Sequence, residues 1–265
     1  MASVTFAAWF RSACGDIFPK ALPVTSPCPD SERVDDEARK VAERYARRMP
    51  TGTDQRYSML NPAAWQGSQE RQRALIALLA GHVTAPLGTL RVLEIGCGAG
   101  GNLLELIGLG FNPENLIGNE LLPARSQLAR RNLPASCVVV HGDASALQYP
   151  DESFDIVYQS TVFTSLLDAS FRQTLAERMW RWVRPGGAVL WYDFIYDNPG
   201  NRDVRGVPVA QIRQLFPAGS LHVRRVTLAP PISRRVCRLH PFLYHVFNAI
   251  PVLRSHVMCW IAKQP

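Results

Sequence analysis

The stretch Arg91-Val-Leu-Glu-Ile-Gly-Cys-Gly-Ala-Gly-Gly101 decides the fold. Val92, Leu93 and Ile95 make a short apolar run bounded by turn signals, which reads as a buried strand. Leu103, Leu104, Leu106 and Ile107 then recur at helical spacing, so the order is strand, glycine turn, helix. Gly96, Gly98 and Gly100 occupy the turn, where the lack of a Cβ permits unusual backbone angles and lets a ligand lie against the main chain. The helix that follows presents unpaired N–H groups to whatever sits there.

The same letters satisfy Gly-x-Gly-x-x-Gly through Gly96, Gly98 and Gly101, the dinucleotide fingerprint, so the glycines alone leave the cofactor open. Glu94 separates the choices. A carboxylate two residues before the first glycine repels a pyrophosphate but pairs with a cation, and S-adenosylmethionine carries both an ammonium and a sulfonium. Farther on, Asn115-Leu-Ile-Gly-Asn-Glu120 reads as a second strand ending in an acid that can accept hydrogen bonds from two ribose hydroxyls.

On these residues the chain resembles the class I S-adenosylmethionine-dependent methyltransferases, and in particular the group built on the methyltransferase type 11 domain. The resemblance runs from about Leu90 to Phe194. Glu94 to Gly100 matches the family's Glu/Asp-x-Gly-x-Gly-x-Gly motif, and Glu120 matches its acid after the second strand. Gly142-Asp143-Ala144 resembles the segment whose Asp holds the adenine amino group. Phe154-Asp-Ile-Val-Tyr-Gln-Ser160 resembles the strand beside the cofactor, and Val183-Arg-Pro-Gly-Gly-Ala-Val-Leu-Trp191 the turn into the fifth strand. The resemblance implies an α/β fold: a Rossmann-like seven-stranded sheet, mostly parallel with an antiparallel last strand, and helices on both faces. It implies S-adenosyl-L-methionine as cofactor and S-adenosyl-L-homocysteine as product. The implied contacts are Glu94, Gly96, Cys97, Gly98, Gly100, Asn102, Glu120, Leu121, Gly142, Asp143, Ala144, Gln159 and Ser160. In related enzymes the segment ahead of the domain often closes over the cofactor, which brings in Arg56 and Tyr57 as candidates. Asp143 has a second reading, as a helix N-cap for the residues after it.

At 265 residues and 47% hydrophobic the chain can bury a substantial core. No run of 18 apolar residues is present, and Val4-Thr-Phe-Ala-Ala-Trp-Phe10 lacks a basic stretch ahead of it, which argues against a signal peptide. Six scattered cysteines without a Cys-x-x-Cys pair read as free thiols of a reducing compartment, so the expected location is cytoplasmic and no metal site is expected. The expected organisation is an arm and cap helix over 1–67, the latter near Asp30 to Tyr45. A methyltransferase domain follows over 68–265, with substrate-side insertions and C-terminal elements over 196–254. A helix is expected from about Ser68 to Leu79, packing Leu75, Ile76, Leu78 and Leu79 on the sheet. Another is expected at Val209 to Phe216, with strands at Leu221 to Leu228 and Ser255 to Ala262.

Specificity falls to the additions. Trp191 to Gly206 concentrates Asp193, Asp197, Asn198, Asn201, Arg202, Asp203 and Arg205 at a carboxyl strand end, a mixture that suits a polar substrate, although loop composition explains part of it. The net charge of +7 draws on Arg224, Arg225, Arg234, Arg235 and Arg238, which interleave with aromatics in a way that suits an amphiphilic or lipid-linked acceptor and peripheral contact with a membrane surface. Nothing resembles a zinc finger or an RNA-recognition signature, which argues against nucleic acid. Methyl transfer is an in-line displacement, and a hydroxyl acceptor gains from a base, for which Asp193, His240 and His245 are the candidates. Oxygen is the expected target atom, on a small-molecule or glycan- or lipid-linked acceptor. After the fourth strand Gln159-Ser-Thr-Val162 departs from the Asn/Asp-Pro-Pro-Tyr run of amino-methylating nucleic-acid enzymes. The alternatives are an NAD(P)-dependent oxidoreductase and a non-catalytic S-adenosylmethionine-binding protein. Sequence leaves the oligomeric state open.

Overall fold

The computed structural model describes residues 29–48 and 58–265, with side chains from Asp36 onward. Helix α1 spans Pro29–Arg48 and α2 spans Pro62–His82. The second helix starts earlier than the apolar spacing suggests, because Asn61 caps it by accepting a hydrogen bond from Ala63 N and Pro62 occupies its first turn, where no N–H is needed. Leu75, Leu78 and Leu79 are buried as expected, but Ile76 turns outward and is 43% exposed.

Strand β1 (Val92–Ile95) leads through the glycine turn into α3 (Gly101–Gly108). Strands β2 (Leu116–Glu120) and β3 (Val138–His141) flank α4 (Pro123–Asn132). Strand β4 (Phe154–Ser160), α5 (Ala169–Trp182) and β5 (Val183–Phe194) follow. The chain ends with α6 (Val209–Leu215), β6 (Ser220–Leu228), α7 (Pro230–Leu239), α8 (Leu243–Asn248) and β7 (Arg254–Ala262). The helix over 230–239 and the short one after it carry no expectation from sequence.

The sheet order is β3-β2-β1-β4-β5-β7-β6. β1 to β5 run parallel and β7 lies antiparallel to both β5 and β6, giving the seven-stranded sheet that the family resemblance implied. Buried on both faces, its central strands split their side chains between two cores. Leu93, Ile95, Val157, Val189 and Trp191 face α5 and α6. Val92, Ile156, Tyr158, Leu190 and Trp260 face α2 and α3. A smaller cluster of Ala63, Leu228, Val236, Cys237 and Tyr244 joins α2 to the α7–α8 segment. The order of β1 reverses direction between β2 and β4, so a crevice opens outside the carboxyl ends of these strands, where sheets of this kind bind ligands.

Candidate active site

The crevice is a cleft above Gly96, Glu120, Asp143 and Ser160 to Val162. Its floor is the glycine turn. Gly96 and Gly98 adopt left-handed φ of 67° and 58°. A Cβ at Gly96 would meet Val162 Cγ2 at 2.5 Å, whereas nothing lies within 4 Å of one at Gly98, so space is open above the second glycine.

Glu120 holds this turn in place. Its Oε2 accepts from Gly98 N at 2.8 Å and its Oε1 from Leu122 N at 2.8 Å, so one carboxylate ties the β1 turn to the end of β2 while lining the cleft. Each oxygen keeps a second lone pair for a ligand hydroxyl. Gly142 N donates to the Glu120 carbonyl, and Asn119 Nδ2 reaches the Gly142 carbonyl at 3.0 Å, which fixes the β3 end beside it. Asp143 lines the cleft, and it caps a 3-10 turn by accepting from Ser145 N.

Glu94 lies beneath the turn with no exposed surface. Asn102 Nδ2 donates to its Oε1 at 2.6 Å, and Asn102 in turn accepts from Arg71 of α2, which also pairs with Glu105. The other oxygen, Oε2, has no hydrogen-bond partner. Burial pushes the Glu94 carboxyl up to about 7, against the pull of Asn102 and Arg71. A buried carboxylate oxygen without a donor is costly on its own and is what a cationic ligand group would satisfy.

The structure brings Gly96, Glu120, Leu121, Asp143, Ala144 and Ser160 together around the cleft. Gly98, Gly100 and Gly142 shape its backbone, while Glu94, Asn102 and Gln159 lie behind it. Gln159 Oε1 accepts from Val162 N and so sets the loop after β4. The Cys97 side chain packs instead within the α3 side of the sheet, against the α-carbon of Gly118, and burial raises its thiol pKa. Arg56 and Tyr57 lie outside the described residues.

The three candidate bases are not brought together, and none lines the cleft. Asp193 is fully buried: Thr164 N, Thr164 Oγ1 and Phe194 N all donate to it, and burial lifts its carboxyl to about 7. It therefore anchors the 3-10 turn over Phe163–Ser165 that forms one cleft wall. His240 ends α7, where its Nδ1 accepts from Phe242 N, and His245 is exposed on α8. The polar loop after β5 uses much of its chemistry on itself, with Asp197 accepting from Gly206 N and Asn201 from Asp203 N.

The cap helix was expected from sequence, but none of its residues was named as lining the cleft. Ala38, Val41 and Tyr45 of α1 line the cleft. Tyr45 meets Ser165 Oγ at 3.1 Å, Arg44 donates to the Ser165 carbonyl, and Glu37 accepts from both Arg44 and Leu167 N. Arg125 from α4 reaches over the Tyr45 ring at 5.0 Å. The spacing 38, 41, 45 on a helix was the available signal. Phe171 and Leu175 of α5 add an apolar wall.

Residues 93–191 match the family described as methyltransferase domain. Demethylmenaquinone methyltransferase of Deinococcus radiodurans is 32% identical over 163 residues, covering 60% of this chain and 62% of that protein. Phthiotriol/phenolphthiotriol dimycocerosates methyltransferase of Mycobacterium tuberculosis is 36% identical over 157 residues, 56% of each chain. The chain thus spans less than two thirds of the length of these relatives. Among solved structures, an S-adenosylmethionine dependent methyltransferase from Mesorhizobium loti shares the fold, with a TM-score of 0.52 at 16% identity over 71% of this chain and 96% of that one. The matched segment, the sheet and the glycine turn together make residues 93–191 similar to the class of S-adenosylmethionine-dependent methyltransferase domains. S-adenosylmethionine is the cofactor of this class, and the residues present fit it: an orphaned carboxylate oxygen for a cation, an acid with free lone pairs for hydroxyls, and open space above Gly98.

Proposed function

We propose that this protein transfers the methyl group of S-adenosylmethionine to a small-molecule or lipid-linked acceptor, with oxygen as the target atom. The observation that carries the cofactor part is Glu94 Oε2, buried at the end of β1 without a partner. A nicotinamide dinucleotide would bring a pyrophosphate to this turn and leave that oxygen facing like charge. The bound sulfonium supplies an electrophilic methyl group. The protein's part is to bind, orient and exclude water. Glu120 holds the turn and takes the ribose hydroxyls, Asp143 and Ala144 meet the adenine, and Glu94 takes the ammonium. The α1 cap with Tyr45 closes the cleft from above. Asp193 acts as a positioning residue, holding the Thr164–Ser165 wall rather than moving a proton, because its oxygens already accept three donors.

The lipid-linked class of acceptor is supported by the relatives' names, one given for demethylmenaquinone and another for phthiotriol/phenolphthiotriol dimycocerosates. The testing experiment is calorimetric titration with S-adenosylmethionine, S-adenosylhomocysteine and NADH, repeated on Glu120→Ala, followed by a screen of acceptors with labelled methyl donor. Saturable binding of the first two ligands, lost or strongly weakened in the variant, and label appearing in a hydroxylated amphiphile are the expected results. Preference for NADH would return the chain to the oxidoreductases, and binding without transfer to any acceptor would favour a non-catalytic role.

A further inference from the structure

The positive charge is confined to one end of the chain. Residues 204–265 hold nine Lys and Arg and no Asp or Glu, whereas the rest holds twenty bases against 22 acids, so the net charge of +7 comes wholly from the elements after β5. The same elements leave large apolar side chains in water. Leu239 is 80% exposed, Phe242 62% and Val252 70%, with Val246 and Ile250 close to half. On α7 the buried face is Ser233, Val236 and Cys237, which places Arg235, Arg238 and Leu239 together on the opposite one.

The head of α2 belongs to this corner. Ala63 packs with Val236 and Tyr244, and Glu70 accepts from Tyr244 Oη at 2.6 Å and from Asn248 Nδ2 at 2.7 Å. Here Leu60 is 93% exposed, and Met59 and Trp65 are about half exposed. A concentration of open apolar side chains of this kind marks an interaction surface. Beside it Arg73, Arg224, Arg225 and Arg254 line an open cleft whose only acid among the described residues is Glu70. That carboxylate is already taken by Thr227 N, Tyr244 and Asn248, and none of the four arginines makes an ion pair among the described residues.

We propose that α7, α8 and the head of α2 seat on a bilayer containing anionic phospholipid. The apolar side chains enter the acyl boundary and the arginines meet headgroup phosphates, which is the division of labour of interfacial anchors. Charge complementarity selects the occupant, since Arg73, Arg224, Arg225, Arg235, Arg238 and Arg254 make no ion pair among the described residues. Helices of ten and six residues are too short to cross a membrane and so lie on it, spanning requiring about 20 residues. β6 runs parallel to β5, so the segment that follows it sits at the carboxyl edge of the sheet, the edge that bears the cofactor cleft. In naming where a lipid-linked acceptor is met, the proposal rests on the methyl-transfer reading; lipid binding itself does not.

The test is co-sedimentation of the full chain with vesicles of phosphatidylcholine alone and of phosphatidylcholine mixed with phosphatidylglycerol, at low and high salt. Two variants accompany it, Leu239→Ser/Phe242→Ser/Val252→Ser and Arg235→Glu/Arg238→Glu, with Phe242→Ser as the mildest probe. The protein should bind the anionic vesicles and not the neutral ones, release in salt, and lose about tenfold or more in affinity in the multiple variants. Titration with S-adenosylmethionine should be unchanged in all of them, because none of these residues lines the cofactor cleft. Absence of vesicle binding, or binding that the variants retain in full, overturns the proposal. So does a concentration-dependent dimer that forms without vesicles and is abolished by the apolar variant, which assigns the surface to a second copy. Failure of the methyl-transfer reading would show separately, in the cofactor titration.

Discussion

Lowering the pH from 7.5 to 6.0 should weaken S-adenosylmethionine binding about eightfold, and the reason lies in Glu94. Burial holds its carboxyl at about 7 in the free protein, so the neutral form dominates below that value. A cationic ligand group requires the ionised form. About three quarters of the population is ionised at pH 7.5 and about one tenth at pH 6.0, and the apparent affinity scales with the competent fraction. The sign is fixed by linkage: a carboxyl raised in the folded state above its ordinary value contributes stability below that ordinary value and loses it as pH rises through about 7. Binding the cation draws the carboxyl toward the ionised form, so complex formation releases protons. Calorimetry in buffers of different ionisation enthalpy measures both quantities at once. Near pH 7 the release should approach about half a proton, the share of Glu94 still protonated. Glu94→Gln keeps an acceptor for Asn102 but should bind weakly and without this pH dependence. Equal affinity at both pH values with no proton release would refute the assignment of Glu94 to the ammonium.

Three other outcomes follow from the site. Arg44→Ala strips the buried partner from Glu37, a loss of about 3–5 kcal/mol for a buried pair; amide exchange across the described part of α1 should accelerate, and cofactor should dissociate faster. Gly96→Ala places a side chain at φ 67° and 2.5 Å from Val162, costing about 1–2 kcal/mol in backbone strain alone, so its melting temperature should fall further than that of Gly98→Ala, where space is open. Asp193→Asn removes a carboxyl that burial lifts to about 7; the stability that this group contributes below its ordinary value and loses as pH rises through about 7 should disappear, leaving the melting temperature of the variant flatter between pH 5 and 8 than that of the parent.

Much of the cofactor half was legible because its chemistry is local. A buried strand, a glycine turn and a helix follow one another within about 15 residues, and β2, β3 and β4 each end in a turn that the sequence itself marks. The acids Glu94, Glu120 and Asp143 fall where strand ends must put them. What escaped was whatever depends on distant pairing. A cap helix was expected, but not its fastening, in which Glu37, Arg44 and Tyr45 meet Ser165 and Leu167, more than a hundred residues away. Arg71 reads as an ordinary helical arginine until Asn102 and Glu105 are seen against it. Asp193 looked like a base because it ends a core strand; only the three donors from Thr164 and Phe194 reveal it as an anchor. The short α7 and α8 were hidden because proline, arginine and aromatic residues crowd their sequence, and their buried face is only three residues wide on α7.

The two halves of the sheet are under different constraints, and Asp193 stands at their junction. β1 to β4 carry the glycine turn and the acids, so their carboxyl ends must hold polar groups without water. None of β5, β6 and β7 lines the cleft, and the edge formed by the carboxyl ends of β5 and β6 and the amino end of β7 presents arginine and apolar surface instead. Asp193 belongs to β5 by chain but spends its oxygens on the cleft wall at Thr164. From the same wall Thr164 O accepts from Arg205 N, which stitches the loop after β5 to the cleft as well. From the α7–α8 corner the chain leads through β7, hydrogen-bonded to β5, to the wall against which α1 packs. Thr164→Val, which removes the hydroxyl that donates to Asp193, should loosen the wall while leaving vesicle binding intact.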